Sequence, residues 1–312
     1  MARAQFPDEQ VESRFQRQED AFRRWIRADG SGDFPVEAGR YHLYVSLACP
    51  WASRTVIVRK LKRLENAVGM TVVDPVRDER GWAFREGPGY SRDPLNGWAF
   101  LSEAYFATDP GYRGRVTVPV LWDTVSRSIV SNSDDDIMRM LEKEFDAFGD
   151  ASVDLYPRQH RDEIDALNEW IYDTLNNGVY KAGFATAQKV YERAAYEVFE
   201  TLDRLEERLS KRRYLVAAWP VETDWRTFVT LIRFDAVYFG HFKCNLRRIV
   251  DYPNLWGYVR DLYQYPGVAE TVNFDHIKRH YYYTHHEINP TRIVPIGPLL
   301  DLTEAHGRER LP

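Results

Sequence analysis

Tyr41-His42-Leu43-Tyr44-Val45-Ser46-Leu47-Ala48-Cys49-Pro50-Trp51-Ala52 is the stretch on which the reading of this chain turns. Tyr41, Leu43 and Val45 alternate with His42, Tyr44 and Ser46, the period of a β-strand, and after it Ile57, Leu61 and Leu64 recur at helical spacing. The turn between strand and helix is Leu47-Ala48-Cys49-Pro50. A cysteine at that point meets unpaired backbone N–H groups and the positive end of the helix dipole, which favour its thiolate. Such a thiolate is a nucleophile at neutral pH. In Cys49-Pro50-Trp51-Ala52 the place of a second, resolving cysteine is taken by Ala52, so a mixed disulfide formed on Cys49 must be cleared by an external thiol. The competing reading is a buried cysteine serving as a small apolar side chain. The setting after a strand and before a helix-starting proline favours reactivity, whereas Cys244, between Lys243 and Asn245 in the helical half, reads as packing.

Outward from this stretch, a second strand over Met70–Val73 ends at Asp74-Pro75 and is followed by a Gly- and Pro-rich insertion, Arg77 to Arg113, with no usable periodicity. Val116–Asp123 and Ser128–Ser131 form a hairpin around Thr124–Arg127. Asn132 or Ser133 caps a helix whose apolar face is Ile137, Met140, Leu141 and Phe145, with Asp134, Asp135 and Asp136 in its first turn. Strand, helix, strand, hairpin, helix is the order of a thioredoxin-like α/β unit. After Pro157 the pattern is helical throughout: Ile164, Leu167, Trp170 and Ile171 mark one helix and Val190 to Leu209 a longer one. Trp225 to Phe239 is apolar nearly all round, as a central buried helix is, and Asp251 to Tyr265 supplies another. The expected organisation is an N-terminal extension over 1–38, a thioredoxin-like thiol-binding domain over 39–150, an all-helical domain over 157–279, and an extended tail over 280–312.

The 312 residues are 44% hydrophobic and 29% charged with net charge −5, a globular balance that offers no electrostatic attraction to nucleic acid or an anionic membrane. No stretch is long and uncharged enough to span a bilayer, and the polar start of the chain lacks the apolar core of a signal peptide. Two widely separated cysteines frame neither a disulfide nor a metal site and fit a reducing compartment, so a cytoplasmic protein is expected. Aromatic residues reach 14%, with 9 Trp and 19 Tyr, enough to line a site for flat apolar ligands.

Other residues carry possible chemistry. Thr117-Val118-Pro119 opens a strand; in a thioredoxin-like unit this proline is expected to be cis and to face the active cysteine, with the Val118 backbone pairing a peptide-like thiol. The helix start at Ser133 can hold a carboxylate on backbone N–H groups, though most such starts hold water. His276, His280, His285 and His286 have no obvious remaining ligand set, so no metal is expected. Tyr180, Tyr281, Tyr282 and Tyr283 are phenols able to donate a proton, although any one tyrosine is more often packing with a wet tip.

With Cys49-Pro50-Trp51-Ala52, Gly81-Trp82-Ala83-Phe84, Val118-Pro119-Val120-Leu121-Trp122-Asp123, Asn177 through Ala185, His280-Tyr281 and Ile288-Asn289-Pro290-Thr291 in collinear order, the chain closely resembles the glutathionyl-hydroquinone reductases, the Xi class of glutathione transferases. The resemblance spans roughly residues 40 to 300. It implies a thioredoxin-like domain, an all-helical domain and a homodimer. It further implies that Cys49 attacks the sulfur of a glutathionyl-hydroquinone thioether, releasing the hydroquinone, and that a second glutathione resolves the mixed disulfide. By the same resemblance Tyr180 and Tyr281 supply a proton, and Trp82, Arg115, Val118 and Pro119 hold the tripeptide.

One departure bears on the thiol. The family's Asn-Glu-Ser-Ser-Glu, whose Glu meets the ammonium and Ser the carboxylate of glutathione, is matched here by Asn132-Ser133-Asp134-Asp135-Asp136. A hydroxyl replaces the ammonium partner and an acid faces the carboxylate, a like-charge contact. Two readings stand: a co-substrate without that zwitterionic end, such as mycothiol, or Ser133 and Asp134 exchanging roles around glutathione. Two further alternatives are a cysteine-type transferase that reduces simple mixed disulfides and a non-catalytic scaffold with a transferase fold. Val221, where the family has a helix-capping Thr, bears on stability alone.

Overall fold

The computed structural model describes residues 9–11 and 13–312; the polar start of the chain, 1–8, and residue 12 lie outside them. The described part opens with an antiparallel hairpin of two short strands, β1 (Gln10–Val11) and β2 (Arg14–Phe15). Beyond it the chain divides into two units. One comprises Gln18–Asp154 with Glu270–His280, and the other Leu155–Ala269, Tyr281–Pro312 and the hairpin with Arg17. The stretch expected as one extension is thus shared between the units, and residues 270–280 pack with the first unit rather than with the helices that precede them.

In the first unit β3 (Tyr41–Val45) leads into α1 (Pro50–Leu61), then β4 (Val68–Val72), α2 (Ser102–Thr108), β5 (Val120–Asp123), β6 (Ser128–Ser131) and α3 (Asp134–Arg139). The sheet order is β4-β3-β5-β6, with β3 and β4 parallel and the other pairs antiparallel. This is the expected thioredoxin-like arrangement. β3 is buried at all five positions, on both faces. Its polar face closes because His42 Nε2 pairs with Thr71 Oγ1 at 2.8 Å and the Tyr44 hydroxyl donates to Asp93 at 2.9 Å. Phe84 and Trp98 pack on the Tyr44 ring. The insertion that showed no periodicity is therefore the cover of this face. Asp93 organises it by also accepting the N–H groups of Leu95, Asn96 and Trp98, doing with a side chain what a regular element does with its backbone.

The second unit contains α4 (Arg161–Ile171), α5 (Gly178–Gly183), α6 (Gln188–Leu209), α7 (Glu222–Arg233) and α8 (Pro253–Tyr263). α9 (Phe274–Thr284) begins among residues of the first unit and ends among those of the second. All twelve residues of α7 are buried, its Glu, Asp, Thr and Arg side chains included, in line with the reading of Trp225 to Phe239 as a central buried helix. Each of Trp225, Phe228, Leu231 and Ile232 contributes about 1.5–3 kcal/mol of burial. α9 runs through His280-Tyr281-Tyr282-Tyr283, which were expected in the extended tail. The tail proper does more than wrap a surface: the Arg308 side chain is buried and donates to the carbonyls of Leu209, Arg212 and Arg213 where α6 ends. The Leu209 carbonyl is the last of α6 and has no partner within the helix.

Candidate active site

Cys49 is the N-cap of α1, in extended conformation (φ −76°, ψ 122°), and its carbonyl accepts the Ser53 N–H at 3.0 Å. Pro50 follows at the first helical position, where the N–H it lacks would find no partner in the helix. The first turn holds no acidic residue, so nothing there opposes the positive end of the helix. The thiol is half-buried, with Sγ 3.7 Å from the Val118 carbonyl oxygen, and the Val118–Pro119 peptide bond is cis. Val118 and Pro119 are buried. The residue before them is pinned from two sides: the Tyr105 hydroxyl donates to the Thr117 carbonyl at 2.9 Å, and Asn132 Nδ2 donates to Thr117 Oγ1 at 3.1 Å.

Ser133 caps α3, its hydroxyl accepting the Asp136 N–H at 3.4 Å. Sequence alone left Asp134 as an acid facing an incoming carboxylate. The fold gives it a counter-charge. Arg54, 1% exposed, donates to Asp134 at 2.8 Å and to Asp135 at 3.5 Å while its guanidinium lies 4.5 Å from the Trp51 ring. Asp136 is held bidentately by Arg23 at 2.7 Å. Three successive carboxylates are thus each paired with an arginine, which offsets the repulsion among them.

Trp82 is buried and stacks on His280, centroids 5.0 Å apart at 22°, with the Arg77 guanidinium 5.3 Å from its ring. His280 Nδ1 pairs with the Pro75 carbonyl and His276 Nε2 with that of Pro88, so these imidazoles anchor the insertion. Arg115 is half-buried; its N–H donates to Gln18 and its carbonyl accepts the Tyr112 hydroxyl.

In the second unit Tyr180 on α5 and Tyr281 on α9 hydrogen-bond through their hydroxyls, and Tyr238, in the wide turn that follows α7, reaches the Tyr281 hydroxyl at 3.2 Å. All three rings are buried. Burial pushes the phenols of Tyr238 and Tyr281 well above their ordinary value, and Tyr180 beside them adds to it. Both are therefore protonated at neutral pH and able to donate. Gly183 makes room for this cluster: a Cβ there would stand 2.2 Å from the Phe242 ring, which packs edge-on against Tyr180. His241 Nε2 meets His285 Nδ1 at 3.2 Å against Tyr281, and burial lowers His241 to about 4. Of the four tyrosines singled out by sequence, the fold joins Tyr180 to Tyr281. Tyr282 instead donates to the Ala236 carbonyl, and Tyr283 is exposed. Tyr238 escaped notice because one phenol inside a uniformly apolar helix pattern carries no signal.

Comparison with known proteins gives the chain relatives over nearly its whole length. The family described as "Glutathione S-transferase, N-terminal domain" matches residues 48–144, and "Glutathione S-transferase, C-terminal domain" matches 188–261. The chain is 54% identical to glutathionyl-hydroquinone reductase YqjG of Escherichia coli, over 95% of this chain and 92% of that protein. It is 49% identical to glutathionyl-hydroquinone reductase PcpF of Sphingobium chlorophenolicum, over 91% and 90% of the two chains. The solved glutathione-bound structure of YqjG superposes with a TM-score of 0.91, covering 93% of this chain and 96% of that one. The Xi glutathione transferase of Phanerochaete chrysosporium does so with a TM-score of 0.89 at 51% identity, covering 91% and 98%. With a thioredoxin-like unit carrying a lone cysteine at a helix start and an all-helical unit carrying joined phenols, the chain belongs to the glutathionyl-hydroquinone reductase family, the Xi class of glutathione transferases.

Proposed function

We propose that this protein is a glutathione-dependent reductase that removes the glutathionyl group from aryl thioethers of the glutathionyl-hydroquinone type, with Cys49 as nucleophile. The observation that carries the reading is Cys49 capping α1 with Ala52 where a resolving thiol would stand, in a chain 54% identical to a glutathionyl-hydroquinone reductase. In the first step the Cys49 thiolate attacks the thioether sulfur, forming the S–S bond of a cysteine–glutathione disulfide. The carbon–sulfur bond breaks, its electron pair passes to the ring carbon, and that carbon takes a proton from the Tyr180–Tyr281 pair. In the second step a glutathione thiolate attacks the glutathione sulfur of the mixed disulfide, releasing glutathione disulfide and restoring the Cys49 thiolate. The ring carbon is reduced by two electrons and two glutathione sulfurs are oxidised, so no other redox partner is needed.

Trp82, Arg115, Val118, Pro119, Ser133 and Asp134 are the proposed tripeptide contacts, and the Arg54–Asp134 pair supports glutathione over a carboxylate-free thiol because it offsets the charge that would repel it. A homodimer in a reducing, cytoplasmic compartment completes the reading, supported by the family resemblance and by two cysteines that form no disulfide with each other. Turnover of a synthetic glutathionyl-hydroquinone tests it. The wild type is expected to release free hydroquinone and, when the second thiol is withheld, to carry one glutathione on Cys49 by mass spectrometry, while Cys49→Ala does neither. Release undiminished in Cys49→Ala defeats the mechanism. Activity confined to small mixed disulfides defeats the substrate class, and turnover with mycothiol but not glutathione defeats the thiol.

A further inference from the structure

The described N-terminal hairpin is fastened to α5, the helix that carries Tyr180. The Ser13 carbonyl accepts the Thr186 N–H at 3.4 Å just beyond that helix. Phe15, buried, lays its ring beside Tyr180 (6.2 Å, 29°) and against Phe184 (5.5 Å). Two residues on, half-buried Arg17 places its guanidinium over both faces, 5.4 Å from the Phe15 centroid and 5.2 Å from that of Tyr180. A cation over an aromatic face is attracted by the ring, and the more so as water is withdrawn from it. A phenol that gives up a proton becomes an anion, and a fixed positive charge beside it stabilises that anion where burial would disfavour it.

We propose that Arg17 is a positioning residue for the proton donor: laid over Tyr180, it holds that phenol against Tyr281 and supplies the positive charge against which the pair releases its proton to the departing aryl carbon. This rests on the reading of Tyr180 and Tyr281 as the proton donor. Among the described residues, the other charged and titratable groups around the pair include Arg233, which partly opposes the rise of the Tyr238 and Tyr281 phenols, together with Tyr238, His241 and His285. Arg233 is tied to its own helix through the Val229 carbonyl at 2.7 Å, and Lys181, next to Tyr180 on α5, is drawn away by Asp173. Among the described residues, Arg17 places its charge on the Tyr180 ring itself, and it comes from a segment outside the helical core.

The test compares wild type with Arg17→Met, which keeps the stem and removes the charge, and with Arg17→Lys, which restores a cation. With a glutathionyl-hydroquinone as substrate, Arg17→Met is expected to lower kcat about tenfold with little change in KM for glutathione, and to move the alkaline limb of kcat upward in pH; Arg17→Lys is expected to recover most of the loss. A merely structural role would lower kcat and thermal stability together and leave the limb in place, and that result overturns the proposal. A second readout needs no turnover: phenolate absorbance during an alkaline titration, taken as the difference between each protein and its Tyr180→Phe derivative, is expected to rise at higher pH in Arg17→Met than in wild type. Identical titrations overturn the role of Arg17 whatever the substrate. Shifted titrations in an enzyme that leaves glutathionyl-hydroquinones untouched uphold it and defeat the proposed reaction instead.

Discussion

At the scale of single residues, the phenol pair and the thiol differ in what their loss should cost. Tyr180 and Tyr281 share one hydrogen bond, so removing either hydroxyl would disable the same proposed donor. Tyr180→Phe and Tyr281→Phe are each expected to lower kcat by about 10²-fold, within the range of general acid catalysis, and the double variant to be little worse than either single. Multiplicative losses, near 10⁴-fold in the double variant by the same reckoning, would mean the two phenols act in separate steps. Cys49 and the proline facing it were legible because a lone cysteine between strand and helix has few structural uses and X-Pro at a strand start has fewer. Arg54 was not: an arginine four residues past a proline reads as a solvated helix position, and its meaning appears only when the fold sets it 2.8 Å from Asp134 across eighty positions of sequence.

At the scale of elements, the start of α7 shows how a helix manages without the usual cap. Val221 has no side-chain acceptor, yet Asp224, one turn in, accepts the Val221 N–H at 2.8 Å, the Leu215 N–H at 2.9 Å and the Tyr258 hydroxyl at 2.7 Å. One side of a reciprocal box survives, and the same carboxylate ties α7 to α8 and to the loop before it. Asp224→Ala would leave the Val221 and Leu215 N–H groups without an acceptor and Tyr258 with only the Asp224 carbonyl at 3.5 Å, so a loss of about 3–5 kcal/mol is expected, seen as a fall in Tm of about 10 °C. Asp224→Asn, which keeps one acceptor oxygen and removes the buried charge, is expected to cost less than half as much; an equal loss would show that the charge itself matters. β3, α1 and α6 were readable from sequence because their apolar residues recur at strand or helix spacing, and α7 because the stretch from Trp225 to Phe239 is apolar nearly all round. The insertion between β4 and β5 was not, because Asp93 and a seven-residue helix with no side-chain cap organise it through contacts that leave no period. α9 was missed for a related reason: its buried face, His276, Ile277, His280, Tyr281 and Thr284, is built largely of polar and amphipathic residues, so burial there leaves no apolar period.

At the scale of the whole molecule, the two units should respond differently to acid. Burial lowers His42 in the sheet unit and His241 in the helical unit each to about 4 from the ordinary 6.5. For such a group the unfolded chain binds more protons, so its contribution is fully present above pH 6.5 and is lost as pH falls toward 4. Asp224 in the helical unit has the opposite sign: burial raises it to about 6, so protonation favours the folded state from pH 6 downward and reaches its full value below the unfolded 3.8. Asp78 in the sheet unit, held at about 2 by Arg80, loses its contribution only below 3.8 and plays no part nearer neutrality. Between pH 7 and pH 5 the sheet unit therefore gives up about 2 kcal/mol through His42, whereas the helical unit loses less than about 1 kcal/mol because Asp224 offsets His241. Native-state hydrogen exchange reads this directly. Amides of β3 are expected to lose protection by about 30-fold on that acidification while those of α7 change by a few-fold, and His42→Gln is expected to flatten the β3 response. Were α7 to open first, or β3 in His42→Gln to keep the full pH dependence, acid sensitivity would have to be assigned to groups other than these buried imidazoles.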